Sequence, residues 1–268
     1  MIRTHDADRI RLVTLDRPDA LNAFNEALYD ATTDALVEAA ADPGIAVVVL
    51  TGAGRAFSAG TDVIEIAARN DGAPVVGTHG FPGFVDHLAG FPKPLLCAVN
   101  GIALGIGATM LGLADLVFMS SEARVRCPFT ALALAPEAGS SFTFPSLMGR
   151  QNATWALLSS EWLSADDCLR LGLAWRVCEP DRLLDETMRH ARVLASKPIA
   201  SLVETKRTIV GALREPVAAA RARENGAFAR LLGGPANREA LAALAARREP
   251  NFRAVDAEHP FDAARHTT

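Results

Sequence analysis

The sequence predicts an α/β fold followed by a helical region, and three features of the residue pattern indicate it. Apolar runs typical of buried strands, such as 45–50 and 94–99, alternate with helical stretches through the first two thirds of the chain. A glycine-rich junction follows each of these two runs. The last third, from Asp181 onward, is almost entirely helical in pattern, with breaks at 197–198 and 233–235.

The elements follow in order from local signals. Alternation and β-branched runs predict strands at 9–16, 45–50, 94–99, 115–120, 124–127 and 173–178. Capping residues and apolar stripes predict helices at 26–41 after Asn25, from 108 to 113, at 146–160, and from Ser164 to Leu171 before Gly172. Residues 51–62 are expected to form a loop, with a short helix beginning near Asp62.

Composition and charge exclude several classes of protein. Half of the 268 residues are hydrophobic, which is enough for a large core. The net charge of −4 and the absence of a basic block argue against a nucleic-acid partner. No apolar run reaches the roughly 20 residues of a membrane helix. Four scattered cysteines and six histidines without metal-ligand spacing favour a cytoplasmic protein that holds no metal.

The most informative stretch is Ala98–Thr109, in which a strand, a glycine-rich turn and a helix follow one another. Such a junction directs free backbone N–H groups and the positive end of a helix dipole at one point. That point suits a phosphate or a developing oxyanion. A second glycine stretch at 58–62 lies upstream, and the two together carry more information than either alone.

Four segments, 16–23, 49–62, 93–105 and 114–115, resemble the crotonase (enoyl-CoA hydratase/isomerase) superfamily in order and spacing. The resemblance implies a crotonase-like spiral of ββα units with a C-terminal helical region that trimerises. We place the spiral core with the active site at 1–195 and the helical oligomerisation region at 196–268. It further implies an acyl-CoA substrate, a homotrimer or a dimer of trimers, and no separate cofactor, since coenzyme A is part of the substrate.

The resemblance also implies which backbone groups hold the thioester oxygen. These are the N–H groups of Thr61 and Ile106, which follow the glycines of the two turns. Because backbone groups are the donors, the side chains at both positions can vary. The residues expected to bind the substrate and its coenzyme A are Ala23, Ser58, Ala59, Gly60, Asp62 and Gly105. For Asp62, capping of the next helix is the more ordinary role.

The positions at which hydratases of this family carry their two glutamates are occupied here by Thr109 and Phe129. A carboxylate appears instead at Glu137, in a segment that resembles the Pro-Glu-x-x-Ser-Ser segment of the peroxisomal-type Δ3,Δ2-enoyl-CoA isomerases. No other charged residue lies between 127 and 148, so we expect a raised pKa for Glu137. One such base can move a proton from C2 to C4 of a 3-enoyl-CoA.

Two other functions stay open at this stage. The first is hydration of an enoyl-CoA or another acyl-CoA conversion of the same superfamily. The second is binding of acyl-CoA without catalysis. Ser140 and Ser141 are nucleophiles on paper, but the chain has no G-x-S-x-G motif, and we expect them to hydrogen-bond near Glu137 or to cap a helix.

Overall fold

The structure is a computed structural model that describes residues 1–62, 65 and 77–260. Its strands form a six-stranded sheet in the order β1-β2-β3-β5-β7-β10 and a four-stranded sheet in the order β4-β6-β8-β9. The strands are β1 (Ile2–Ala7), β2 (Ile10–Leu15), β3 (Val47–Gly52), β4 (Ala56–Ser58), β5 (Leu95–Val99), β6 (Ile102–Leu104), β7 (Leu116–Ser120), β8 (Arg124–Arg126), β9 (Leu163–Ser164) and β10 (Arg176–Cys178).

Helices connect the strands and make up the last part of the described chain. They are α1 (Glu26–Ala41), α2 (Gly80–Gly90), α3 (Ile106–Thr109), α4 (Ser140–Met148), α5 (Arg150–Ser159), α6 (Ala165–Leu171), α7 (Leu183–Ala195), α8 (Ile199–Gly211), α9 (Arg214–Leu231), α10 (Pro235–Ala245) and α11 (Phe252–Glu258). Short 3-10 helices lie at Pro18–Ala20, Met110–Leu113, Thr130–Leu132 and Pro180–Arg182. None of the described helices is both long and apolar enough to cross a membrane.

A repeating unit winds through the two sheets. A strand of the larger sheet is followed by a strand of the smaller sheet and then by a helix, as in β5-β6-α3 and β7-β8-α4. Within the larger sheet, β2, β3, β5, β7 and β10 pair in parallel, and β1 joins as an antiparallel edge. This arrangement confirms the crotonase-like spiral that the resemblance implied.

Strand β3 shows why its sequence is a continuous β-branched run. Val48 and Leu50 belong to the main apolar cluster, which includes side chains of α1. Val47 and Val49 belong to a second cluster that includes Leu183 and other side chains of α7. Because successive side chains point to opposite faces, a strand covered on both faces must be apolar at every position.

Local capping signals gave the most accurate helix boundaries. The Asn25 side chain accepts a hydrogen bond from the Leu28 N–H, and α1 spans the predicted residues. Ser164 and Asp167 form a capping box at the start of α6, which Gly172 ends in the left-handed conformation. These signals lie within a few residues of the boundary that they fix, so the sequence alone reveals them.

Three predictions about elements were wrong. The helix expected at 146–160 begins earlier, at Ser140, includes Pro145, and is divided by Gly149, whose φ is +77°. The loop expected at 51–62 contains β4, and the glycine turn after β5 contains β6. Both strands have three residues and lie within glycine-rich stretches, whose composition favours a loop or turn.

The helical region begins where the sequence predicted a break. Helix α7 ends at Ala195 and α8 begins at Ile199, after Pro198. The division of the chain into a core and an oligomerisation region at 195/196 stays a prediction. The helix expected after Asp62 lies outside the described residues.

Candidate active site

The two glycine turns pack directly against each other. Gly60 has a φ of +89°, and a Cβ on this residue would lie 2.8 Å from the carbonyl oxygen of Leu104. Gly105 has a φ of +55°, and a Cβ there would lie 3.6 Å from the Cα of Gly60. Both positions therefore need glycine for conformation, and Gly60 also needs it for space. The contact brings together the backbones that lead into Thr61 and Ile106.

The Thr61 N–H is oriented by pairing with the segment before α1. Phe24 donates its N–H to the Gly60 carbonyl at 2.7 Å and accepts from the Asp62 N–H at 2.8 Å. In a parallel pair, the residue between these two partners directs its own N–H away. No hydrogen-bond partner of the Thr61 N–H occurs in the part of the chain that the structure describes.

The Ile106 N–H is free for a different reason. Ile106 is the first residue of α3, and the N–H groups of Ala108 and Thr109 both bond to the Gly105 carbonyl at 2.9 Å. The first N–H groups of a helix have no carbonyl in the preceding turn. Among the described residues, nothing accepts from the Ile106 N–H.

The Glu137 carboxylate lies beside these turns. Its Oε1 atom is 3.9 Å from the position that a Cβ would take on Gly105. Burial, and then the charge of Glu224, raise the pKa of Glu137 to about 8. The raised pKa expected from the sequence is therefore present, and the carboxyl can exchange a proton near neutral pH.

Glu137 is carried on a tight turn that leads into α4. Its carbonyl oxygen accepts from both the Ser140 N–H, at 3.1 Å, and the Ser140 hydroxyl, at 2.7 Å. Ala138 and Gly139 have φ angles of +60° and +79°. Ser140 and Ser141 occupy the first positions of α4. Ser140 thus bonds to the turn of Glu137, as the sequence predicted.

No carboxylate occupies either of the two positions where the resemblance places the hydratase glutamates. Thr109 is fully buried in α3, and its hydroxyl has no hydrogen-bond partner among the described residues. Phe129 is 4 % exposed and belongs to the main apolar cluster. Neither side chain can hold a water as a pair of carboxylates would.

The other residues assigned to substrate binding surround the turn at 58–62. The Ser58 hydroxyl donates to the Asn22 carbonyl at 2.9 Å and accepts from the Gly60 N–H at 3.2 Å. The Ala59 N–H is bonded to the Leu21 carbonyl. Backbone and hydroxyl groups thus fix the shape of this turn, and a role of Ser58 and Ala59 toward coenzyme A stays a prediction.

Arg17 ties the same turn to the segment before α1. Its guanidinium bonds to the Ala23 carbonyl and lies 3.2 Å from the Asp62 carboxylate. The side chains of Arg17 and Asp62 are both mostly buried. The Ala23 carbonyl and the Asp62 carboxylate thus both contact Arg17. Binding of coenzyme A by Ala23 and Asp62 stays a prediction.

Two residues near the site carried no sequence signal. The Tyr29 hydroxyl is 2.8 Å from the Thr61 hydroxyl, and burial followed by the Glu137 charge raises the pKa of this phenol well above its ordinary value. Glu224 bonds to the turn of Glu137 from α9. Both lie far from their partners in the sequence, so no spacing pattern could reveal them. No metal-binding group of His, Cys, Asp or Glu occurs among the described residues.

Residues 6–255 match the Enoyl-CoA hydratase/isomerase family, and the chain belongs to this family of enzymes that act on acyl-CoA. One curated relative, 1,2-epoxyphenylacetyl-CoA isomerase of Escherichia coli, is 33% identical over 256 residues, which cover 94% of this chain and 97% of that protein. Enoyl-CoA delta isomerase 2 of Rattus norvegicus is 34% identical over 203 residues, which cover 75% of this chain and 52% of that protein.

Solved structures agree with the fold. A crystal structure of an enoyl-CoA hydratase from Mycobacterium marinum is 59% identical and has a TM-score of 0.76, covering 78% of this chain and 99% of that one. Relatives of this chain are thus named both as isomerases and as hydratases, so the name of a relative does not decide the reaction.

Proposed function

We propose that the protein is a Δ3,Δ2-enoyl-CoA isomerase in which Glu137 is the base and the N–H groups of Thr61 and Ile106 form the oxyanion hole. The observation that carries the proposal is the position of the Glu137 carboxylate beside the Gly105 turn, together with Thr109 and Phe129 at the hydratase positions. A single carboxylate suffices for a proton shuttle, whereas hydration needs a second group to orient the water.

The reaction proceeds in two proton transfers. Ionised Glu137 removes a proton from C2 of the 3-enoyl-CoA, and the electron pair moves into the C1–C2 bond as charge develops on the thioester oxygen. The two N–H groups stabilise that oxygen, each by about 3–4 kcal/mol in oxyanion holes of this kind. Protonated Glu137 then returns the proton to C4, and the double bond comes to lie between C2 and C3.

The raised pKa determines how activity depends on pH. With a pKa of about 8, most of the Glu137 carboxyl is protonated at pH 7 in the free enzyme. Only the ionised form can accept the C2 proton, so kcat/KM should rise with pH and level off above about pH 8. A base with an ordinary carboxyl pKa would give a flat profile over this range.

A second function is favoured by the relative of 59% identity that is named as a hydratase. A hydratase would add water to crotonyl-CoA, and a binding protein without activity would leave the C2 protons of bound acyl-CoA unexchanged in D2O. Isomerisation of 3-hexenoyl-CoA and hydration of crotonyl-CoA should both be followed for three proteins. These are the wild type, Glu137→Gln and the matched variant Glu122→Gln, which alters an exposed carboxylate.

The expected result is rapid isomerisation of 3-hexenoyl-CoA by the wild type and Glu122→Gln, with a loss of about 100-fold or more in Glu137→Gln. Hydration of crotonyl-CoA should be slow in all three proteins. Isomerisation that survives in Glu137→Gln would contradict the proposal, and efficient hydration by the wild type would favour the second function.

We further propose that 196–268 mediates assembly into a trimer or a dimer of trimers. Large apolar side chains of its described part are exposed in the single chain, namely those of Ile209 on α8, Leu213 and Leu232 at the two ends of α9, and Leu244 on α10. Exposed large apolar side chains of this kind can form an interaction site between copies of the chain. Light scattering coupled to size-exclusion chromatography tests this, and a monomer at micromolar concentration would contradict it.

A further inference from the structure

Glu224 is a buried carboxylate of α9 that contacts the turn carrying Glu137. Only 4 % of the surface of this residue is exposed. One carboxylate oxygen accepts from the Gly139 N–H at 2.6 Å, and the other accepts from the Ser141 N–H at 2.7 Å. Two oxygens that both accept from N–H groups are the arrangement of an ionised carboxylate.

These two bonds satisfy amide groups that α4 cannot satisfy itself. The first N–H groups of a helix lack carbonyl partners, and an anion at that end also interacts favourably with the helix dipole. Ser141 is the second residue of α4, and Gly139 directly precedes the helix. Glu224 therefore acts as a cap that comes from a distant segment of the chain.

The turn that Glu224 holds has an unusual backbone conformation. Ala138 and Gly139 both have left-handed φ angles, which is strained for the alanine. Helix α9 packs closely on this turn, because a Cβ on Gly139 would lie 3.2 Å from Cγ1 of Val217. Glu137 belongs to the same hydrogen-bonded turn through its carbonyl, so a shift of the amides would move its carboxylate.

We propose that Glu224 is a positioning residue, which fixes the direction of the Glu137 carboxylate by holding the Gly139 and Ser141 amides. The proposal rests on the role of Glu137 as the base. If so, α9 of the C-terminal region sets the geometry of the active site, although Glu224 lies 85 residues after Gly139 in the sequence.

Glu224 also acts on the protonation of Glu137. After burial, its charge is the next cause of the raised pKa of that carboxyl. Among the described residues, the phenol of Tyr29 from α1 and the thiol of Cys127 also interact with Glu137, and burial followed by the Glu137 charge raises the pKa of each. Arg221, one turn before Glu224, is paired with Asp86 of α2 at 2.7 Å.

Three variants separate the effect of charge from that of position. Glu224→Gln removes the charge and nearly keeps the shape, although its NH2 group cannot accept from an amide. Glu224→Asp keeps the charge, but its shorter side chain cannot reach both amides in the same way. Glu215→Gln removes a charge from an exposed position on the same helix and is the matched control.

The protonation of Glu137 is measured directly by infrared absorption of the carboxyl group as a function of pH. Each protein is compared with the same protein carrying Glu137→Gln, so that all other carboxyls cancel. Isomerisation kinetics over the same pH range give the midpoint and the limiting kcat. Amide hydrogen exchange of the segment 133–148 reports whether the two bonds are lost.

In Glu224→Gln, we expect the midpoint to fall by about one pH unit, since a like charge has been removed. We expect the limiting kcat to fall about tenfold, with faster exchange at residues 139 and 141 and little change in KM. Glu224→Asp should keep the midpoint of the pH dependence and have a lower limiting kcat. Glu215→Gln should match the wild type in both quantities.

A Glu224→Gln protein whose midpoint and kcat equal those of Glu215→Gln would overturn the proposal. An unmoved midpoint in Glu224→Gln would contradict the effect of the Glu224 charge on Glu137, and unchanged exchange at residues 139 and 141 would contradict its positioning role. If Glu137→Gln isomerises at the wild-type rate, the proposed function fails instead, while the infrared midpoint and the exchange data still test the contact between Glu224 and the turn.

Discussion

Replacing Glu137 by Gln is expected to slow isomerisation by about 100-fold or more and, at the same time, to stabilise the fold. Burial and the charge of Glu224 raise the pKa of this carboxyl from 4.5 to about 8. Between these two pH values the folded protein keeps a proton that the unfolded chain has lost. By linkage, the contribution of Glu137 to the free energy of unfolding therefore falls as the pH rises from about 4.5 to 8.

The size of the effect follows from the shift in pKa. One unit corresponds to about 1.4 kcal/mol, so the buried carboxyl costs about 3 kcal/mol at pH 7 and under about 1 kcal/mol at pH 5. A neutral Gln of the same shape carries no such cost. Glu137→Gln should thus be about as stable as the wild type at pH 5 and more stable by about 3 kcal/mol at pH 7.

Urea unfolding at pH 5, 7 and 9, at one fixed protein concentration, measures this difference, with Glu122→Gln as the control. Comparing the same pair of proteins at several pH values removes any contribution of the amide that does not titrate. A difference in stability that is independent of pH would refute the reasoning, as would a Glu137→Gln protein that is less stable than the wild type at every pH.

Three further substitutions test the surroundings of the site. Gly60→Ala should lower the kcat of isomerisation by about 100-fold, because its Cβ would meet a backbone oxygen at 2.8 Å and displace the turn. Gly149→Ala is the control, because Gly149 has a similar φ of +77° and a Cβ there would have no neighbour within 4 Å. Thr109→Val should raise the free energy of unfolding by about 1 kcal/mol and leave isomerisation unchanged, since a buried hydroxyl without a described partner is removed. Urea unfolding measures the stability and steady-state kinetics measure the isomerisation, and a loss of activity would contradict this prediction. Tyr29→Phe should lower kcat/KM by about fivefold through loss of the bond to Thr61, and unchanged kinetics would show that this bond does not matter.

The parts of the fold that the sequence predicted are those fixed by neighbouring residues. Asn25 caps a helix whose first turn it contacts directly, and Gly60 and Gly105 sit in turns that only glycine can form. The resemblance then drew attention to Glu137, and its local lack of charged neighbours indicated the raised pKa that the structure shows.

The parts that the sequence did not predict depend on contacts between distant segments. The bond between Tyr29 and Thr61 and the two bonds of Glu224 each join different elements of the fold. A buried Glu in an otherwise charged helix such as α9 has the same sequence pattern as a solvent-exposed one. Only the packing of α9 on the turn before α4 distinguishes it.

Helix α4 begins six residues before the helix that the sequence predicted from residue 146. Proline is common in the first turn of a helix, where its φ fits and its missing N–H costs nothing. Here Pro145 lies inside the helix, which begins at Ser140 after the turn of Glu137. The amides of Gly139 and Ser141 are held by Glu224, and this distant cap fixes the start of the helix where no local residue does.

The most direct test of Glu137 as the base follows one proton through the reaction. 3-Hexenoyl-CoA labelled with deuterium at C2 should yield 2-hexenoyl-CoA with part of the label at C4 during the first turnovers of the wild type, because one buried carboxyl carries it between the two carbons. Glu137→Gln should form the product about 100-fold or more slowly than the wild type. Product formation by Glu137→Gln at the wild-type rate, with the label at C4, would contradict the account.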